Sequence, residues 1–324
     1  IRINTTVKKN IIQNKQKLYT RSVKKDVGFT ATGISTSLSG LTANNFYGLR
    51  VEDEEISLNL PDVVKVLAIY ESKGSGSVIL DKLTFPSGFN LDTASILGEK
   101  ITGASSGAVG QIVTRSSSTQ IEFVYLNSNK FTVNETVRFA DSNISATITS
   151  ITIGQYTDKT QDYTLDKAQK EQYYDYSRIV RKPGVSIPSR KLKIIFDHYT
   201  VPENDAGDVY TANSYGTQRF KNDVPILGDN LRASDTLDFR PRVSEFTSTS
   251  SSPFTFDSRD FAASGSNPTY VISPNESSTV GYSYYLPRID KLVLNSDGSL
   301  NVVKGISADN PMPPSSIEDG MSML

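Results

Sequence analysis

Short runs of β-branched and aromatic residues, separated by Gly, Ser, Asn and Asp turns, fill most of this 324-residue chain. The clearest are "PDVVKVLAIYES" from Pro61, which is apolar on both faces of an extended strand, and "SRKLKIIFDHYTV" from Ser189. Such runs favour pleated, partly buried backbone. We therefore predict a mostly β protein, with β-sandwich-like host domains, a small inserted β-barrel and one short helix.

Turn residues predict how these strands are connected. "KGSGS" follows the first run and "SVILDKLTF" comes after it, which predicts a hairpin. Asp297 and Gly298 provide the positive-φ positions of a tight turn in "KLVLNSDGSLNVV". The helix is predicted in "LDKAQKEQYYDYSRI" from Leu165, where the spacing is helical before a tyrosine-rich end.

An internal echo marks the predicted barrel. "GEKITGASSGAVGQIV" from Gly98 and "NETVRFADSNISATIT" from Asn134 align so that Glu99 meets Glu135 and Ser106 meets Ser142. Each copy has two short strands around a Gly/Ser/Asn turn, and "QIEFVYL" lies between the copies. Five or six short strands of this kind predict a small closed or half-closed barrel inserted at a hairpin tip, where insertions are tolerated.

These patterns divide the chain into four parts, and its first residue, Ile1, leads us to expect a piece of a longer polypeptide. The parts are an extended basic arm with loops (1–60), a β host domain (61–88 plus 154–230), the inserted barrel (89–153) and a β continuation or second β domain (231–324).

Composition excludes several classes of protein. The net charge is −1 and there is no cysteine, so we predict no dedicated nucleic-acid binder, no disulfide and no thiolate metal site. No apolar run approaches the roughly 20 residues of a membrane span. Basic residues precede the first acid, Asp26, and we interpret them as an arm that lies on another subunit, with contact to nucleic acid as the alternative.

Residues with catalytic or ligand-binding chemistry do not form a recognisable site, so we predict no enzyme activity, no catalytic residue, no cofactor and no metal. His198 is the single histidine. "GASSGAVG" lacks the Lys-Ser/Thr pair of a phosphate loop. "PENDAGD" (Glu203 to Asp208) offers oxygen ligands for calcium, with a solvated turn as the preferred interpretation. "VEDEEI" (Val51 to Ile56) indicates a charged sheet edge.

Two charged strings are interpreted as framework. In "DTLDFRPRV", Asp238, Arg240 and Arg242 share one face of a strand, opposite apolar neighbours. In "YYLPRIDKL", Arg288 and Asp290 share a face. Forked arginine–carboxylate contacts hold neighbouring segments in register. We therefore predict structural ion pairs among these five residues.

Tyrosines form a second group, because their rings offer a large contact area with few rotatable bonds and a polar tip. We predict possible interface residues at Tyr173, Tyr174, Tyr176, Tyr284 and Tyr285. Half-buried sheet positions and sugar stacking are the alternatives.

The strings "YYDYSRI", "KIIFDHYTVPENDAGDVYTANSY", "TLDFRPRV" and "YYLPRIDKLVLNSDGSLNVVKG" carry a resemblance. Over residues 160–324 the chain resembles a large tail- or baseplate-associated structural protein of T-even-like cyanophage myoviruses and a related phage domain of unknown function. The inserted segment resembles small barrel modules of cyanophage virion proteins. The resemblance implies a structural role without catalytic residues, in a longer chain.

We therefore expect a virion structural protein of the tail, baseplate or an attached fibre, made in the bacterial host cytoplasm and located in the virion. Its expected partners are other tail or baseplate proteins, with a homo-oligomer also expected. A fibre adhesin that binds a host-surface glycan is the alternative. A depolymerising tailspike is disfavoured, because no solenoid repeat is visible.

Overall fold

The computed structural model describes residues 12–28, 47–170, 173–202, 205, 207–216, 224, 226–227, 231–244, 261–262, 286–308, 310–315 and 320–323. The strands are β1 (Leu18–Val27), β2 (Tyr47–Gly48), β3 (Glu55–Pro61), β4 (Val63–Ser72), β5 (Asp81–Thr84), β6 (Lys100–Gly103), β7 (Val109–Ser117), β8 (Gln120–Tyr125), β9 (Thr136–Phe139), β10 (Ser145–Thr147), β11 (Ser150–Thr152), β12 (Tyr156–Asp158), β13 (Tyr163–Asp166), β14 (Tyr176–Arg181), β15 (Leu192–Thr200), β16 (Ile226–Leu227), β17 (Leu231–Arg232), β18 (Arg242–Val243), β19 (Phe261–Ala262), β20 (Lys291–Asn295), β21 (Leu300–Val303) and β22 (Gly320–Met323). One short helix, α1 (Leu91–Ala94), and 3₁₀ turns at Thr160–Asp162, Ala212–Ser214 and Ala233–Asp235 complete the described elements. The prediction of a mostly β fold is confirmed.

Two four-stranded sheets form a sandwich. Their strand orders are β1-β15-β4-β12 and β13-β14-β3-β2. Apolar side chains from both sheets meet in one core, which includes Ile56 of β3, Ile179 of β14 and Ile194 of β15. Strands β1 and β3 of these two sheets lie within or almost within residues 1–60, which we expected to be an extended basic arm with loops.

Strand β15 lies inside its sheet with both faces covered. Ile194 faces the sandwich core, whereas Ile195 packs in a second cluster with Val113 and Val124 of the neighbouring seven-stranded sheet. Every residue of β15 from Leu192 to Tyr199 is buried. The apolar run "IIF" from Ile194 therefore reflects a strand that has no solvent-facing side.

A curled seven-stranded half-barrel follows β4, with strand order β10-β9-β6-β7-β8-β5-β11. Its own core includes Leu83, Ile101, Phe123 and Phe139. The sheet includes β5 (Asp81–Thr84), which lies before the boundary at residue 89 that we expected. The chain then returns to the sandwich as β12, whose Tyr156 pairs with Ser72 at the end of β4.

The aligned repeats form two matching turns that are locked by each other's carboxylate. Glu99 accepts hydrogen bonds from Ser142 N at 2.9 Å and from Ser142 Oγ at 3.0 Å. Glu135 accepts them from Ser106 N at 3.1 Å and from Ser106 Oγ at 2.9 Å. Both glutamates are buried, with 0% and 5% exposure. Each copy of the repeat therefore supplies the glutamate that holds the turn of the other copy. We call Glu99 with its turn at Ser142, and Glu135 with its turn at Ser106, the two locks.

The two locks also share their backbone geometry. Gly98 and Asn134, which precede the glutamates, both have positive φ, at 77° and 68°. Glycine and asparagine are the residues that adopt this conformation most readily. Each glutamate also accepts a hydrogen bond from the backbone amide three residues before it, at 2.6 Å in both copies.

A buried polar network joins the half-barrel to the sandwich. Asp197 of β15 is 0% exposed and accepts hydrogen bonds from Ser22 N at 2.8 Å and Tyr19 OH at 2.8 Å. Gln111 of β7 reaches the same carboxylate at 3.2 Å and Ser22 Oγ at 3.0 Å. Ser22, with φ of 54°, lies in the bulge of β1. The bulge residue Ser22 is therefore a point of contact between β1 and β7 of the half-barrel.

The structure corrects two local predictions. The helix predicted from Leu165 is wrong, because Tyr163–Asp166 form β13 and Ala168 adopts a φ of 50°. The hairpin predicted between β4 and β5 is also wrong, because β4 lies between β15 and β12, and β5 pairs with β8 and β11. In both places long-range sheet pairing overrides a local signal.

The C-terminal unit, Asn275–Leu324, is separate from the unit that contains the sandwich and half-barrel. We expected residues 231–324 to be either a continuation of the host domain or a second β domain. Its sheet has the order β21-β20-β22. The hairpin predicted around Asp297 and Gly298 is confirmed, since β20 pairs antiparallel with β21. Gly298 has the expected positive φ, at 83°, whereas Asp297 does not have a positive φ.

Lys25 of β1 is expected to destabilise the fold. It pairs with Ile194, its Nζ has no hydrogen-bond partner among the described residues, and burial lowers its pKa to about 7. In the unfolded chain the pKa of Lys25 is higher, so the folded chain binds fewer protons at this residue between about pH 7 and pH 10. The free energy of unfolding therefore rises with pH in this range, because the cost of burying the charged amino group disappears.

We predict that Lys25→Met raises the free energy of unfolding by about 1–3 kcal/mol at pH 7 and by less at pH 10. Urea unfolding at both pH values measures this. Lys24→Met is the matched control, because Lys24 is the exposed neighbour and bonds Thr114 Oγ1 at 2.9 Å. An equal gain at both pH values would contradict the assignment.

Candidate functional site

Asp238 and Arg240 form a forked contact around Tyr174. Arg240 Nε and Nη2 donate to Asp238 at 3.0 and 2.9 Å, and Arg240 Nη2 also donates to Tyr174 OH at 2.9 Å. Tyr174 OH donates to Asp238 Oδ2, the carboxylate oxygen that Arg240 Nη2 also bonds. The Arg240 guanidinium lies 4.2 Å from the centroid of the Tyr174 ring. Three groups from two distant segments are therefore held in one orientation.

The electrostatics of this contact keep Asp238 ionised. Burial raises the pKa of Asp238, but the hydrogen bonds and charge of Arg240, with the hydroxyl of Tyr174, hold that pKa below its usual value. Burial and the neighbouring carboxylate raise the pKa of Tyr174 well above its usual value. The tyrosine is therefore a proton donor to a carboxylate, not a phenolate.

A buried lysine lies next to this contact. Lys17 Nζ forms an ion pair with Asp62 Oδ2 at 2.6 Å, and the two side chains are 0% and 1% exposed. Four tyrosine rings surround the amino group, with centroids 4.3, 5.6, 4.6 and 5.2 Å from Nζ, and we call them the tyrosine cage: Tyr174, Tyr199, Tyr210 and Tyr215. Faces of tyrosine rings attract a cation.

Six separate segments build this site, and one of them carries Tyr174 between β13 and β14. Lys17 directly precedes β1, and Asp62 lies between β3 and β4 with a φ of 61°. Tyr199 is on β15, and Tyr215 follows the 3₁₀ turn Ala212–Ser214, which Thr211 caps. Tyr210 pairs with Asp238 through backbone hydrogen bonds of 2.9 Å in both directions. Long-range pairing therefore creates the cage.

Burial lowers the pKa of Lys17, and the adjacent carboxylate of Asp62 opposes that effect. Taking both groups out of water costs free energy, which is recovered when the two groups stay paired and correctly oriented. The cage supplies that orientation. Because the amino group is closed off from solvent, it serves recognition between segments of the chain.

Arg242 and His198 lie beside the cage. Arg242 Nη1 donates to the Tyr199 carbonyl at 2.6 Å, so it fixes β15 and does not share the Asp238–Arg240 fork. His198 is 4% exposed, and burial together with the charge of Arg242 lowers its pKa to about 4. The histidine is therefore neutral near pH 7 and packs at 6.2 Å from Phe196.

Arg288 and Asp290 form the second predicted fork, in the C-terminal unit. Arg288 Nε and Nη2 donate to the two carboxylate oxygens at 2.7 and 2.9 Å. Asp290 also accepts from Gly305 N at 2.9 Å. The hydrogen bonds from Arg288 lower the pKa of Asp290. Both residues are exposed, so this fork orders a surface loop.

The predicted interface tyrosines separate into three cases. Tyr173 and Tyr176 are half-buried. Tyr174 is 0% exposed and belongs to the cage, so its ring is covered by other residues of this structure. Tyr284 and Tyr285 lie outside the described residues.

The remaining charged motifs have structural partners. Asp208 Oδ2 accepts from Gln13 N at 3.0 Å, and Asp205 accepts from Gln16 N, while Glu203 and Asn204 lie outside the described residues. Asp53 pairs with Arg50 at 2.5 Å. "GASSGAVG" forms the turn locked by Glu135. Across the described part of the chain, no three His, Cys, Asp or Glu residues are grouped to hold a metal ion.

Sequence reasoning missed Lys17 and Asp62 as site residues. Lys17 was one of several lysines in a basic stretch, and Asp62 had the appearance of a strand-end residue. They are 45 positions apart, and no local spacing links them. The residues next to Lys17 in the sequence do not indicate that its side chain is buried.

Tyr174→Phe is predicted to lower the free energy of unfolding by about 1–3 kcal/mol, because it leaves part of a buried carboxylate without its donor. Asp238→Asn, made alone and with Tyr174→Phe, completes a double-mutant cycle in urea unfolding. We expect the double variant to lose less than the sum of the single losses. Additive losses would show that the two side chains are not coupled.

Comparison of the chain with protein-family models, with curated proteins and with solved structures gives no match. Among the residues that the structure describes, no helix has the length and apolar character needed to cross a membrane.

Proposed function

We propose that the chain is a structural component of a phage tail or baseplate that acts through protein–protein contacts. The observation that carries this proposal is an exposed apolar face on the sheet of the C-terminal unit. Leu292, Leu300 and Val302 are 41%, 61% and 52% exposed. Leu292 pairs with Val302, and Leu294 pairs with Leu300, so these side chains share one face of β20 and β21.

Exposed apolar surface of this kind is typical of a face that a partner covers. On the opposite face the apolar side chain of β20 differs, because Val293 is only 1% exposed. Ile306 and Met312 add exposed apolar surface in the same unit, at 83% and 78%. In the proposed assembly, neighbouring tail or baseplate subunits cover these residues.

The buried cluster supports the same proposal in a different way. Asp238, Arg240 and Lys17 are used in contacts within the chain, so the charged motif most suggestive of chemistry acts as framework. The tail or baseplate assignment comes from the resemblance carried by "DFRPR" and "YYLPRID". The proposal therefore includes no catalytic step.

Mass spectrometry of purified particles tests the proposal, and we expect the chain among the virion proteins. Its presence only in lysate would overturn the proposal. Val302→Asp should keep the fold and reduce incorporation into particles at least about tenfold, because a charge buried at an interface without a partner is costly. Asn301→Asp is the matched control, since Asn301 is exposed on the opposite face of the same strand.

A further inference from the structure

Residues 12–17, which we call the strap, contact the chain as a bound peptide contacts a receptor. Lys15 N donates to Val209 O at 2.7 Å, and Asp208 N donates to Gln13 O at 2.8 Å. Asn14 and Val209 form a parallel bridge. Backbone pairing of an extended segment in this manner is a common mode of peptide recognition.

Side chains fix the register of the strap. Carboxylates of Asp208 and Asp205 accept from the backbone amides of Gln13 and Gln16. Gly207 lies under the strap, and a Cβ there would be 2.4 Å from the Asn14 carbonyl oxygen. The groove is therefore shaped for a close backbone approach, which only glycine permits.

The strap ends in the tyrosine cage, where Lys17 is held by Asp62. Lys17 N also donates to Ser214 O at 2.9 Å. An empty cage would leave the buried Asp62 carboxylate without its counter-charge, which is strongly unfavourable. The groove therefore requires a lysine-bearing segment at all times, whichever chain supplies it.

The strap belongs to an element that can be transferred as a whole. It continues directly into β1, which is an edge strand with a single sheet neighbour, β15. Strap and β1 make their contacts with residues far along the chain, such as Val209 and Thr200. Identical contacts form whether this element comes from the same chain or from another copy.

We propose that the groove and the tyrosine cage are a recognition site for an extended, lysine-bearing segment, and that a second copy of this chain supplies it by exchanging residues 12–28. The effective concentration of a tethered segment is in the millimolar range. Exchange is therefore rare in dilute solution and becomes common when copies are concentrated. This inference goes beyond the proposed function, because it holds for any concentrated state of the chain.

Single cysteines test the exchange, because the chain has none of its own. Asn14→Cys in one copy and Val209→Cys in another are co-refolded and oxidised, and a disulfide between them forms only if the strap has crossed. We expect the disulfide-linked fraction to fall roughly 100-fold when the protein is diluted from about 1 mM to about 10 μM.

Asn14→Cys mixed with Ser118→Cys controls for random collisions, since Ser118 is exposed on the half-barrel. Yields equal to this control at every concentration would overturn the proposal. Because substitutions at the bridge can affect folding, thermal melts of each single variant are compared first. As a second measurement, size-exclusion chromatography of the cysteine-free chain should show a dimer fraction that rises between about 10 μM and about 1 mM, and a monomer at every concentration would also count against the proposal.

Discussion

Asp62→Ala is expected to lower the free energy of unfolding by about 3–5 kcal/mol, because it leaves Lys17 buried without its counter-charge. Urea unfolding measures the loss. Asp62→Asn separates charge from backbone effects, since asparagine tolerates the φ of 61° at this position. We expect the Asn variant to lose most of the same stability.

Lys17→Met completes the comparison at the cage. Alone it should destabilise the fold, because the Asp62 carboxylate is then buried without a cation, whereas Lys17→Met with Asp62→Asn should regain part of the loss. Additive effects of the two substitutions would contradict a coupled pair. The 2.6 Å separation of Nζ and Oδ2 is the basis of this prediction.

Glu99→Gln and Glu135→Gln are expected to lower the free energy of unfolding by similar amounts, about 2–4 kcal/mol each. In both variants an NH₂ group replaces a carboxylate oxygen. The groups around that oxygen are hydrogen-bond donors, so the NH₂ group finds no acceptor there. Burial raises the pKa of Glu135, but hydrogen bonds from Thr132 N and from Ser106 outweigh it and lower that pKa.

Glu122→Gln is the matched control for the two locks. Glu122 lies on β8 of the same sheet and pairs with Lys82 at 3.1 Å near the surface. Its removal should cost less than about 1 kcal/mol. If either lock variant lost no more stability than this control in urea unfolding, the reciprocal-lock interpretation would be wrong.

Much of the β architecture could be predicted because it is encoded locally. The apolar runs of β4 and β15, the turn at Asp297–Gly298 and the alignment of Glu99 with Glu135 are all visible as patterns in the sequence. The helix from Leu165 failed because Tyr163–Asp166 pair with β14, and this sheet pairing overrides the local helical spacing.

The site was only partly predictable. Asp238 and Arg240 are two residues apart, so a fork between them is a local event that a strand pattern suggests. Lys17 and the cage depend on pairings that join residues about 190 positions apart, such as Asn14 with Val209. A single sequence contains no local signal for such pairings.

The crossed glutamates have a consequence for dividing the half-barrel. Glu99 stabilises the turn of the later repeat and Glu135 stabilises that of the earlier one. A fragment that carries a single repeat would therefore lack the carboxylate that holds its own turn, and would keep a buried carboxylate without its donors from the other repeat.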